Sequence, residues 1–200
     1  AAAGWEAVAY TGDAGVSARF GYGRGFSTFL DDKKFGGMDH SGPPAMEWLK
    51  TNKDKHFLMF FHGYDTHGQA PLPPEINLRG LMPSYQGKLN GTIEEQAQYR
   101  EQALKAIQKP GDEASLAGVL SPEDAAFMMS IYDKKVETED ERLGLFLNVL
   151  KETHVWEKAI VVILSDHGEE FWDHDGVSRL SFLLRTSLYI QRKRGSFPFG

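Results

Sequence analysis

Seven carboxylate and imidazole side chains crowd the ten positions from Asp166 to Asp175: Asp166, His167, Glu169, Glu170, Asp173, His174 and Asp175. Carboxylate beside imidazole is a donor set that suits a divalent metal better than a helix cap. Asp166 and His167, which leave one apolar run together, are therefore the candidate metal ligands. Glu169 and Glu170 read more simply as the acidic first turn of a helix, where carboxylates favour the dipole. A second group, His62-Gly63-Tyr64-Asp65-Thr66-His67, follows another apolar run. Taken singly, a histidine is more often a structural hydrogen-bonder than a catalyst. His62 and His154 are assigned that bland role, since nothing pairs with them in sequence. The chain has no cysteine, which excludes disulfides, thiolate metal sites and a cysteine nucleophile.

Both polar groups need elements that deliver them to one place. Ile160–Leu164 is a short unbroken aliphatic run and predicts a strand buried on both faces. Phe57–Phe61 predicts a second such strand. If the two are parallel neighbours, their polar groups face one crevice at the carboxyl edge of a sheet, where open α/β folds bind ligands. Trp5–Tyr10 alternates as a strand, and Thr11-Gly12-Asp13 turns out of it. Pro43-Pro44 lead into a short helix over Ala45–Thr51 with Met46 and Leu49 inward. Ile93–Ile107 reads as a helix that stops at Pro110-Gly111. Ser121-Pro122-Glu123-Asp124 is a helix start with an N-cap serine, and that helix runs to about Thr153. Its apolar face is approximated by Ile131, Val136, Leu143, Phe146, Val149 and Leu150. A helix, a short turn and a buried strand make half of a βαβ unit, so the fold class is α/β with a mostly parallel sheet flanked by helices.

The remaining stretches are less regular. Ala1–Gly4 looks like a helix tail with Gly4 as its left-handed stop. Phe20–Phe29 is rich in glycine and aromatics, but its glycines lack the register of a dinucleotide fingerprint, so an ordered surface loop is expected. Ala70–Thr92 is a long irregular excursion, expected on the substrate side. Leu180–Leu184 continuing to Ile190 predicts a last strand.

Two hundred residues, 41% hydrophobic and 12% aromatic, suit one globular domain. A formal net charge of −6 argues against a nucleic-acid partner, and the short run Arg192-Lys193-Arg194 does not change that. No apolar stretch approaches membrane-spanning length, and the first residues lack the pattern of a secretory leader.

With these residues in view, the chain resembles a piece of a sulfatase, within the alkaline-phosphatase-like superfamily. Phe57–Gln69 is similar to the family strand and loop F-x-H-x-x-D-P-H. Tyr132–Leu150 with Trp156–Glu169 resembles the long helix and strand that end in S-D-H-G-E. Leu183–Ile190 is similar to a later strand commonly written L-L-R-V-P-L-I-I. The resemblance implies that Asp166 and His167 ligate a divalent metal, usually calcium. It implies that His67 meets the ester oxygen or leaving group as an acid or hydrogen-bond donor. The glycine-flanked Lys or His that the family places downstream is skipped at Val177-Ser178-Arg179-Leu180, where Arg179 is the residue that offers a charge. The implied partner is a sulfated small molecule or glycan. The family would allow a periplasmic or extracellular setting, and the compartment stays open.

The chain also departs from the family pattern. The nucleophile motif C/S-x-P-S-R is absent, with Met82-Pro83-Ser84-Tyr85 the nearest string. The N-terminal acidic pair of the metal site is absent too, and Asp31-Asp32 follows the wrong elements to replace it. A single partial domain over residues 1–200, truncated at both ends and inactive alone, is therefore expected. Without that acidic pair most of a calcium oxygen shell is missing, so the residual site should prefer zinc. Two alternatives stay open: a phosphatase, phosphodiesterase or phosphoethanolamine transferase of the same superfamily, or a non-catalytic binding protein that keeps the fold.

Overall fold

A computed structural model describes residues 4–68, 70–107, 121–165 and 188–191. Three strands form a parallel sheet in the order β2-β1-β3: β1 is Glu6–Tyr10, β2 is Thr28–Leu30 and β3 is Phe57–Phe61. Parallel neighbours need crossovers, and α1 (Met38–Asn52) lies in the β2-to-β3 crossover. Beyond β3 the chain runs through an irregular excursion to α2 (Ile93–Ile107) and then to the 31-residue α3 (Pro122–Glu152). Strand β4 (Val161–Leu164) follows, paired antiparallel with β5 (Leu188–Gln191). Mostly parallel strands with flanking helices make this the α/β class that the sequence predicts.

The register explains which side of the sheet is packed. Val8, Tyr10, Leu30, Phe57, Met59 and Phe61 meet Ala45, Leu49, Phe146, Val149 and Leu150 in the main core, so α1 and α3 cover that face. Ala7 pairs with Leu58 and Ala9 with Phe60, so those residues share the opposite face. There Leu58 is 59% exposed, and in β4 Leu164 is exposed to the same extent. Both strands were expected to be buried on both faces. Among the described residues each alternates half-buried and exposed positions, because helices pack against one side only. β3 and β4 are also not ladder neighbours among the described residues: β3 pairs with β1 and β4 with β5. Val161 and Ala159 nevertheless pack against the main core, which ties β4 to the same layer.

Helix boundaries follow local chemistry. Ser121 Oγ accepts from Asp124 N at 3.0 Å, and Asp124 Oδ2 accepts from Ser121 N at 3.3 Å. This reciprocal cap, with Pro122 behind it, starts α3 where the sequence predicts. Thr92 and Glu95 do the same for α2, and Glu95 also takes the backbone N–H of Asn90 and Gly91. For α1 the prediction fails. The helix starts at Met38, seven residues early, with Pro43 and Pro44 inside it. Prolines remove two donors from the first turns. The start is held instead by His40 N and Ser41 N on Gly37 O, and by Asp65, which takes Met38 N at 2.7 Å.

The excursion after β3 is folded rather than loose. Tyr85, Leu89, Phe127 and Ile131 form a second core under the N-terminal half of α3, with Leu72, Leu78, Leu81 and Met82 around it. Tyr85 donates to Asp124 and accepts from Leu89 N at 3.1 Å, so the excursion is bonded to the α3 cap itself. The Phe20–Phe29 loop is ordered as expected, with Phe26 edge-on to Phe29, and its end contributes β2. Gly4 takes the left-handed conformation expected of it, and Leu188–Gln191 realises the end of the last predicted strand.

Candidate functional site at the carboxyl edge of the sheet

All three parallel strands end on one side, and three polar loops leave from there: Thr11-Gly12-Asp13, Asp31-Asp32, and His62 to Gly68. Asp65 is the anchor of the third loop. Its side chain is 1% exposed, yet it is bonded on both oxygens: Oδ2 accepts from Met38 N, and Oδ1 accepts from the Arg142 guanidinium. A buried carboxylate needs that much satisfaction to remain in place. The fit is close enough that only glycine works around it. A Cβ on Gly37 would lie 2.5 Å from Oδ1, and one on Gly63 would lie 2.5 Å from Oδ2.

His67 sits two residues further on, half-buried. Its ring stacks on Phe35 with centroids 5.1 Å apart and meets Tyr64 edge-on at 5.5 Å. Phe35 holds φ at +55°, a left-handed conformation that costs a bulky residue about 1–3 kcal/mol. Tyr64 is fixed in turn, its hydroxyl accepting from Gly15 N at 3.0 Å and its amide donating to Gly36 O. The imidazole thus lies against two immobilised rings at the sheet edge.

Three residues of α3 complete the site, and the sequence reading missed them. Arg142 holds Asp65, Glu139 faces Thr66, and Lys135 donates from Nζ to His67 O at 3.1 Å and to Gly68 O at 3.5 Å. Lys135 is 3% exposed, and Thr138 is buried beside it. The apolar face predicted for this helix included Val136, which the structure corrects: Val136 is exposed. The signal was available. Phe127, Ile131, Lys135, Thr138, Arg142, Phe146 and Val149 follow one i, i+3, i+4 stripe, and its middle positions are polar.

Glu139 is the electrostatic outlier. Burial pushes its pKa from 4.5 up to about 7, and the Asp65 charge adds to the rise, while Thr66 and Arg142 oppose it. Between pH 4.5 and 7 the folded chain holds a proton that the unfolded chain has released. Stability therefore falls as pH rises through that window, by on the order of 1–2 kcal/mol after solvent screening is allowed for. Glu139→Gln should flatten that slope and be the more stable form at pH 8. Urea unfolding at pH 5 and pH 8 checks this; an unchanged slope in the variant would assign it to another group.

Of the predicted site residues, His67 lies at the sheet edge, while Asp166, His167 and Arg179 lie outside the described residues. β4 ends at Leu164, so the Asp166–His167 pair begins two residues past a strand. His62 packs between Phe60 and Tyr64, and His154 occupies a left-handed turn after α3, consistent with structural roles. Among the described residues no group of three or more histidines and carboxylates could hold a metal ion. Three nearby acids are already engaged, Asp31 by Ser17 and Ala18 N, Asp32 by His40 at 2.7 Å, and Asp65 as above, while Asp13 Oδ1 is buried without a hydrogen bond, 3.8 Å from Arg19. A calcium oxygen shell does not fit these residues. No helix among the described residues is long and apolar enough to cross a membrane.

An α/β sheet with histidine and carboxylate loops at its carboxyl edge has its polar residues where open α/β folds bind ligands. The sulfatase family model matches residues 8–182, and the chain belongs to that family, whose fold is alkaline-phosphatase-like. The family hydrolyses sulfated substrates and generally uses a divalent metal. No curated protein and no solved structure matches the chain significantly.

Proposed function

We propose that this chain is the part of a metal-dependent sulfuric ester hydrolase that carries the leaving-group histidine and half of the metal site. What supports the reading is the family match combined with the position of His67 on the loop beyond β3. When a sulfate ester is cleaved, the S–O bond to the leaving group breaks and that oxygen needs a proton. His67 donates it as a general acid or stabilises the oxygen by a hydrogen bond. Arg179 offers a charge to the sulfuryl oxygens. Asp166 and His167 would hold a divalent cation, which when bound would supply Lewis-acid stabilisation of developing negative charge. The substrate is a sulfated small molecule or glycan.

This chain does not bring the nucleophile, since it has no cysteine and no C/S-x-P-S-R sequence. Incubated with an aryl sulfate and calcium, it should show no turnover above background. Metal-dependent turnover would mean that a nucleophile has been overlooked. Asp166 and His167 together supply one carboxylate and one nitrogen, so the isolated site should bind zinc more tightly than calcium. Titration calorimetry should lose the zinc signal in Asp166→Ala and in His167→Ala. Calcium binding tighter than zinc would reveal further oxygen ligands.

A further inference from the structure

We propose that Lys135, Glu139 and Arg142 form a positioning ladder on α3 that sets the place of His67. The three lie one helical turn apart on one face of the helix, at i, i+4 and i+7. They face successive parts of one loop: Arg142 bonds the Asp65 carboxylate, Glu139 lies opposite Thr66, and Lys135 donates to the carbonyls of His67 and Gly68. The His67 carbonyl is a junction, accepting from Lys135 Nζ and from Ala70 N at 2.8 Å. His67 N donates back to Tyr64 O at 3.0 Å, so the backbone is tied on both sides of the imidazole.

Burying a lysine ammonium is expensive, and an aliphatic residue would fill a core position of α3 more cheaply. The stripe Phe127, Ile131, Lys135, Thr138, Arg142, Phe146 gives up apolar burial only where it faces this loop. Charge-assisted bonds to the loop are what that substitution provides. The stacked Phe35 and the edge-on Tyr64 then limit the ring, while the ladder limits the backbone beneath it. The three residues act through His67 and not on the ester. Their importance for catalysis rests on the proposed role of His67, but the positioning itself is measurable without turnover.

The test is proton NMR of the whole chain, with the His67 ring signals assigned by His67→Gln. In the parent chain, stacking on Phe35 displaces those signals upfield. In Lys135→Met they should lose most of that displacement, while the His40, His56 and His154 signals stay in place. Amide exchange at His67 and Ala70 should rise roughly tenfold, as expected when a charged hydrogen bond holding the loop is removed. Lys135→Arg should restore both readouts. Lys135→Gln, uncharged and shorter, provides a second variant in case the methionine form does not fold. Unmoved His67 signals in either folded variant overturn the proposal. So does failure of both to fold while Lys135→Arg folds, because Lys135 would then be a fold determinant only. A mobile His67 in Lys135→Met supports the ladder even if the chain proves to be an unusual sulfatase, so the two readings fail separately.

Discussion

Arg142→Met should destabilise the chain by about 3–5 kcal/mol, the range seen when one partner of a buried ion pair is removed. The reason is what stays behind. Asp65 has a side chain that is 1% exposed, and losing the guanidinium leaves a carboxylate with Met38 N as its remaining hydrogen-bond donor. Gly37 and Gly63 are packed against its oxygens, so the carboxylate cannot swing towards water without moving α1 or β3's loop. Arg142 also lowers the pKa of Glu139, so its removal should push that carboxyl further up. The double variant Asp65→Asn with Arg142→Met should recover more than half of the loss, since no buried charge remains and the amide oxygen still accepts from Met38 N. Urea unfolding at pH 7 measures all three. A cost below about 1 kcal/mol for Arg142→Met would mean that Asp65 is hydrated and that the anchor is weaker than its geometry indicates.

The parts of this architecture that rest on local signals were legible in the sequence. Ser121-Pro122 and the residues after it carry a complete helix start, and α3 begins there. The Phe57–Phe61 run predicts a strand, and the structure forms it with Asp65 and His67 on the loop that follows. Signals that depend on tertiary context were not legible. The start of α1 was missed because Pro43 and Pro44 argue locally against a helix, and the group that caps it, Asp65, is 27 residues away. The two-sided burial of β3 was over-read because an apolar run does not say how many layers cover it. The ladder was missed for the opposite reason. Lys135 and Arg142 look like ordinary surface charges until they are placed on the stripe that runs from Phe127 to Val149, with Glu139 beside it. Polar residues at core positions of a long amphipathic helix mark a buried polar partner, and that rule would have found them. Asp166 and His167 illustrate a third case: residue type and resemblance propose them as metal ligands, and they lie outside the described residues, past a strand that is present.

Phe127→Ala carries the other large expected effect, about 3–5 kcal/mol. Phe127 is fully buried, and its ring stacks almost parallel on Tyr85 with centroids 4.2 Å apart. Truncation loses the transfer energy of the ring, leaves a cavity, and gives up an aromatic pair worth about 0.5–1.5 kcal/mol. The second core has few other members, and Tyr85 is what fastens the excursion to the α3 cap through Asp124 and Leu89. Collapse into the cavity is opposed by Gly91, whose backbone already touches Phe127 and Ile131 so closely that a Cβ would lie 2.3 Å from Ile131 Cδ1. The loss should therefore appear first as local opening. Limited proteolysis should cut the stretch between Asn77 and Gly91 at a denaturant concentration where α1 and β1 remain protected. Phe127→Leu, which keeps most of the apolar volume, should cost about half as much and leave that stretch protected. If both variants unfold in one step with equal loss, the two cores are a single cooperative unit and the excursion is as firmly built as the sheet.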